Sequence, residues 1–149
     1  IAVFVLFRFV IGLSVVSGDS MDPTLLDGDI VLYQRIVSDY QIGDVVSIRV
    51  PSGDYYIKRV VAVSEDLVDI RDGIVYVNGE EEVNESYGVS ERQSSAIIYP
   101  YLVRLGNVFV LGDNREVSLD SRTFGEVNLR QIRGKILFFY RNGKIGKVE

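Results

Sequence analysis

Two Asx-Gly dipeptides, Asp72-Gly73 and Asn142-Gly143, each stand between two runs rich in Val, Ile, Leu, Tyr or Phe, and a third, Asn78-Gly79, closes another such run. A two-residue type I′ hairpin needs positive φ at both central positions, and Asx-Gly is the pair that tolerates this best. A chain punctuated in this way is bound to fold as antiparallel ribbons. The turn at 72–73 joins segments 67–71 and 74–77, and the turn at 142–143 joins 136–141 and 144–148. Segments 29–37, 44–50 and 55–63 carry the same Val/Ile/Tyr bias between Gly, Pro or Asp, and 108–111 is a short apolar strand ending at Gly112. Only 128–133 reads as a single turn of helix. The fold class is mainly β.

Length and charge narrow the function. The chain's 149 residues amount to one domain, and 47% apolar with 25% charged residues is the composition of a folded globular protein. Its net charge of −5 and the lack of a basic stripe argue against nucleic acid as a partner. Histidine and cysteine are both absent. That rules out a Ser-His-Asp triad, a Cys-His dyad, a disulfide framework and a histidine-ligated zinc site. A hydrolase built on this sequence needs a base other than imidazole, and lysine is one of the few side chains that serve.

The first sixteen residues are almost wholly apolar, interrupted by Arg8. A full membrane span needs about 20 apolar residues, so residues 1–7 read as the outer end of an anchor whose upstream part lies beyond this chain. Arg8 then sits at the headgroup level. The competing reading is a buried first strand. Residues 80–95 are polar, begin acidic and hold four serines, which reads as a solvated excursion from the sheet.

Three stretches hold candidate chemistry. Ser17-Gly18-Asp19-Ser20-Met21-Asp22-Pro23-Thr24-Leu25 is a turn-rich joint. Read alone it is an ordinary Asx or Ser turn, or a corner that projects the Ser20 hydroxyl into a groove. In the strand Tyr55-Tyr56-Ile57-Lys58-Arg59-Val60-Val61, strand alternation gives each face one cation among apolar neighbours. Lys58 is then either a snorkelling edge lysine or a buried one, and burial lowers a lysine pKa by up to about 3–5 units and frees an amine to act as a base. The third stretch is Gly112-Asp113-Asn114-Arg115-Glu116-Val117-Ser118-Leu119-Asp120-Ser121-Arg122. If extended, it sets Ser118, Asp120 and Arg122 on one side, so that Asp120 pairs with Arg122 and Ser118 orients a nearby amine. A polar hairpin with fortuitous spacing is the alternative.

In chain order, S-M-x-P-T-L, Gly28-Asp29-Ile30-Val31-Leu32, Y-I-K-R-V and G-D-N-R-x-x-S-x-D-S-R-x-F-G make the sequence resemble the type I signal peptidases, membrane-bound serine–lysine endopeptidases. The resemblance runs from about Val15 to Tyr140. It implies coiled antiparallel β-sheets forming a catalytic core, at 15–76 and 102–149, with a small insert at 77–101 and the apolar lead-in at 1–14. It implies Ser20 as nucleophile, Lys58 as general base, Ser118 as the group orienting the Lys58 amine, and Asp120, Arg122, Asp113 and Asn114 as supports. Val16, Met21, Leu25 and Ile57 match positions lining the shallow pockets that select A-x-A sites. It further implies secretory preproteins and the lipid bilayer as partners, an extracytoplasmic catalytic domain on the cell membrane, and no metal or cofactor.

Two positions depart from the pattern. Gly18 stands where some members carry a serine that donates to the oxyanion, and Ser64-Glu65-Asp66 replaces a Gly-Asp turn. Three other readings fit less well. A self-cleaving repressor relative needs an Ala-Gly or Cys-Gly site, and a penicillin-binding type needs S-x-x-K; neither sequence occurs. A catalytically idle relative would have no reason to retain both Ser20 and Lys58.

Overall fold

All three Asx-Gly dipeptides turn hairpins. Asp72, Asn78 and Asn142 have φ of 52°, 53° and 49°, each followed by a glycine of positive φ. The computed structural model describes residues 9–149. The anchor reading of residues 1–7 and the headgroup placement of Arg8 lie outside the described residues.

The main sheet runs in the order β1 (Ile11–Val15), β2 (Ile30–Gln34), β11 (Ile132–Arg141), β3 (Val45–Arg49), β4 (Tyr55–Ala62), β9 (Asn107–Leu111) and β10 (Val127–Asn128), with β12 (Lys144–Lys147) beside β11. A second sheet runs β7 (Glu80–Glu81), β6 (Ile74–Val77), β5 (Leu67–Arg71), β8 (Tyr101–Leu102). Every pairing in both sheets is antiparallel. A four-residue helix, α1 (Ser121–Phe124), and short 3₁₀ turns at Glu85–Tyr87 and Leu129–Gln131 complete the fold.

Three boundaries differ from the sequence reading. The second sheet begins at Leu67, two strands ahead of the 77–101 insert, because β5 and β6 pair with β7 and β8 and not with the main sheet. Residues 11–14, read as the end of the apolar lead-in, form with Val15 a strand on β2; Leu13 and Val15 point outward, and their apolar character conceals the alternation that marks a strand. Residues 118–122 are not extended. Asp120 instead caps α1, its side chain accepting from the Arg122 N–H, so the turn of helix replaces the strand-like spacing.

β4 is interior, not an edge, with β3 on one side and β9 on the other over its second half. A register shift between Val60 and Ala62 marks a β-bulge. Val61 and Ala62 thereby both join the cluster of Val68, Ile70, Val75, Val103 and Phe109, which welds the second sheet to the main one. Val60 packs with Val46, Ile48 and Val110 on the opposite side. A third cluster, around Val16, Met21, Leu25, Val31, Tyr33, Val45 and Ile136, lies under the Ser20 turn.

Candidate active site

The Ser20 turn is held from several directions. The Val16 N–H donates to Asp29 O at 2.8 Å and the Gly28 N–H to Val16 O at 3.0 Å, closing the loop at its base. Met21 and Leu25 plug that loop into the core beneath it. Arg141 from β11 donates to both Asp29 carboxylate oxygens, at 2.7 and 2.5 Å, which holds the Asp29 pKa below its ordinary value against the opposing effect of burial. Gly18 has φ of 84°, where a side chain is strained, and its N–H donates to Asp27 Oδ1.

From the other side comes the turn after β9. The Asn114 N–H donates to Ser20 O at 3.1 Å and Asn114 Nδ2 to Asp19 O at 3.1 Å. Asp113, fully buried, accepts from Thr24 Oγ1 at 2.6 Å and from Arg59 Nε and Nη2 at 2.8 and 2.7 Å. Arg59 Nη1 also donates to Gly43 O and Glu149 O. The expected supports, Asp113 and Asn114, thus lie against the turn they serve. Arg59, which the sequence reading left without a partner, is the anchor of the group.

Lys58 and Ser20 meet. Lys58 Nζ donates to Ser20 Oγ at 2.7 Å, and the lysine is 3% exposed. Burial pushes its pKa down to about 8, against the pull of the Asp120 and Asp113 carboxylates and with help from Arg122. The expected Asp120–Arg122 pair also forms. Arg122 Nε and Nη2 donate to Asp120 at 2.9 and 2.8 Å, and the carboxylate accepts further from the Gly112 N–H at 3.1 Å.

Two expected site residues stand apart from these contacts. Ser118 Oγ is buried and makes no hydrogen bond, while the Lys58 amine is directed at Ser20. Leu25 does not line the groove, because it is fully buried in the core behind Met21.

Gly112 has a role the sequence reading did not assign. A Cβ there would run into Ser118 Oγ and the Ser20 carbonyl, so only glycine lets the two loops approach. Gly112→Ala is expected to cost roughly a hundredfold in kcat, the scale on which small displacements of reacting groups are felt. Overpacking of this kind costs about 1–3 kcal/mol of stability, so a melting curve beside the kinetics separates a displaced nucleophile from an unfolded protein.

The groove beside the dyad lies between two free strand edges. β1 pairs only with β2, and β4 gains its β9 partner only at Arg59, so Tyr55–Ile57 is paired on the β3 side alone among the described residues. Val16, Ser17, Met21, Tyr55 and Ile57 line the space between them together with Ser20 and Lys58, and its volume is about 90 Å³. Three of the four expected pocket residues, Val16, Met21 and Ile57, are therefore on it.

The second sheet is tied to this site as well. Arg115, buried, donates to Gly112 O at 2.9 Å, to both Glu82 carboxylate oxygens at 2.6 and 2.9 Å, and to Ser90 Oγ at 3.1 Å. Its guanidinium lies 4.6 Å from the centre of the Tyr87 ring, with that of Arg59 at 5.6 Å. The excursion read as a solvated loop therefore braces the turn that holds Ser20.

A serine facing a buried lysine across a strand-lined groove is the arrangement that a serine hydrolase without histidine requires. Residues 1–141 match the family "Signal peptidase, peptidase S26". The chain is 34% identical to Signal peptidase IB of Staphylococcus aureus, over 93% of its own length and 82% of that protein. It is 34% identical to Signal peptidase I of Bacillus licheniformis, over 84% and 74% of the respective lengths. A crystal structure of a signal peptidase I from Enterococcus faecalis superposes with a TM-score of 0.56 at 27% identity, covering 67% of this chain and 98% of that one. The chain belongs to the signal peptidase family.

Proposed function

We propose that this protein is a membrane-associated serine endopeptidase that removes signal peptides from exported preproteins after A-x-A sites. The observation that carries the reading is the buried Lys58 amine, with a pKa near 8, at 2.7 Å from Ser20 Oγ. Deprotonated, Lys58 accepts the Ser20 hydroxyl proton as Oγ attacks the scissile carbonyl. The Ser20 N–H donates to the oxyanion, and Lys58 returns the proton to the leaving amine. Water, activated by the same amine, then releases the acyl group. With Gly18 two residues before the nucleophile there is no side-chain hydroxyl donor at that position, and one such donor is worth about 3 kcal/mol of barrier.

The substrate adds as an extended strand between the free edges of β1 and β4, so main-chain bonds give affinity and the groove gives selectivity. A space of about 90 Å³ suits side chains the size of alanine, and larger ones clash with Met21 and Ile57. Bilayer contact is supported by the outer face of β1, β2, β11 and β12. There Leu13, Ile30, Leu32, Phe138, Tyr140 and Ile145 border an apolar hollow of about 420 Å³, and Ile145 is 77% exposed. A patch of this kind on one face marks an interaction surface. On this reading the catalytic domain lies on the extracytoplasmic face of the cell membrane.

The test is cleavage of a peptide with a single Ala-x-Ala site beside a Ser20→Ala control. Cutting after the second alanine, abolished in the control, is expected. The sign of the pH dependence follows from the base: the lysine is inactive when protonated, so kcat/KM rises with pH through about 8 and levels off above it. A rate that falls across that interval, or survives in Ser20→Ala, removes the assignment.

A further inference from the structure

Around Tyr33 and Tyr55, the latter a lining residue of the groove, stand three arginines that make no ion pair among the described residues: Arg35, Arg49 and Arg133. They are built around two tyrosines. The Arg133 guanidinium lies 5.0 Å from the centre of the Tyr33 ring and 4.6 Å from that of Tyr55, and the Arg35 guanidinium lies 5.0 Å from the Tyr33 ring. Arg133 comes to face them because the β11–β3 register shifts between Ile132 and Gly134, leaving it as the extra residue of a bulge. Arg49 is the cross-strand partner of Tyr55, and it is exposed. The acid next to Tyr55, Asp54, accepts from Ser52 and pairs with none of the three. In a chain of net charge −5, such a cluster is a local reversal of sign.

Its position says what it meets. The Arg35 N–H donates to Val10 O at 2.8 Å and Arg35 Nε to Ile11 O at 3.2 Å, so Arg35 ties the cluster to the start of β1. The sequence leading into that point is the apolar run of residues 1–7. The apolar outer face of β1 and β2 begins beside it, at Leu13. Stacked guanidiniums at the border of an apolar surface keep their N–H edges free for anions and hold the charge at headgroup depth.

We infer that Arg35, Arg49 and Arg133 form an anion-binding rim at the upstream mouth of the groove that engages the phosphates of acidic lipid headgroups. This rests on the bilayer contact proposed above and adds to it a lipid selectivity. The rim sets the mouth of the groove at the phosphate plane, where a substrate segment emerging from the bilayer enters between β1 and β4.

The experiment uses the whole chain with vesicles of phosphatidylcholine alone or with phosphatidylglycerol added, and measures co-sedimentation at low and high salt. The wild type is expected to favour the acidic vesicles, with the preference lost in salt. Arg49→Gln and Arg133→Gln should each weaken binding to acidic vesicles by roughly fivefold and leave neutral vesicles unaffected, while Arg133→Lys keeps most of the preference. Phe138→Ser with Ile145→Ser should weaken binding to both vesicle types, which tests the bilayer contact separately.

Equal wild-type binding to both vesicle types overturns the rim and leaves the bilayer reading standing; binding to neither overturns both. Inorganic phosphate at matched ionic strength should not displace the protein. If it does, the rim is a site for free phosphate and the lipid assignment fails. In vesicle-free buffer Arg49→Gln should cleave the Ala-x-Ala peptide with unchanged KM. A raised KM there would show that the rim reads acidic groups on the substrate, which also overturns the proposal.

Discussion

Lys58→Ala is expected to abolish peptide cleavage and to leave the protein folded. The expected loss in kcat/KM is at least about a thousandfold, since on the proposed mechanism the variant loses its general base and no other titratable amine or imidazole stands within hydrogen-bond reach of Ser20 Oγ among the described residues. The fold survives because the two carboxylates that act on the lysine have other partners. Asp120 is paired with Arg122 and capped onto α1, and Asp113 is paired with Arg59 and Thr24. Removing the amine therefore leaves no orphaned charge, only the space of the lysine chain. That space is cheap to leave, because a lysine buried with a pKa near 8 was itself held against its preference for water.

The two readouts must part company. Circular dichroism and thermal melting should stay close to wild type while turnover falls to the background of Ser20→Ala. Lys58→Arg should be as inactive as alanine, because a guanidinium is never deprotonated in a protein. Activity retained in Lys58→Ala would remove lysine from the mechanism altogether. Activity lost together with the folded signal would mean that the lysine is structural.

The sequence carried the dyad and the ribbon-like fold further than it carried the supports. Ser20 and Lys58 stand out because each sits in a short local motif and because histidine and cysteine are missing. The Asx-Gly turns announce their hairpins since the constraint, positive φ at two adjacent positions, is local. Arg59 was unreadable for the opposite reason: its partner Asp113 lies 54 residues away, and nothing in a strand pattern says which acid a buried arginine will meet. The same holds for Arg115, whose carboxylate comes from Glu82 in a segment polar enough to look solvated. Asp120 followed by Ser121 and Arg122 did carry a helix-cap signal, and strand-like spacing masked it.

Arg59→Ala should destabilise the protein strongly, by about 3–5 kcal/mol. Asp113 is fully buried, and without Arg59 its carboxylate keeps only the Thr24 hydroxyl. An ion left without its partner in such a place carries the whole desolvation penalty. Gly43 O and Glu149 O lose a donor in the same step, so β3 and the end of the chain loosen as well. Against a total stability of about 5–15 kcal/mol, such a loss brings the protein near its folding limit. Urea titration of wild type and variant measures it directly.

The double variant Arg59→Met with Asp113→Leu separates charge from packing. Apolar side chains of similar size restore the fill without burying an ion, and exchanges of this kind are often neutral or stabilising. The double variant should therefore be markedly more stable than Arg59→Ala. It should still be a poor enzyme, since Thr24 then has no carboxylate to bind and the turn carrying Ser20 loses its side-chain tie to residue 113. Recovery of stability without recovery of kcat would show that the Arg59–Asp113 pair is kept to aim the nucleophile, at a cost in stability that an apolar pair would avoid. A double variant as unstable as Arg59→Ala would instead assign the pair to the fold.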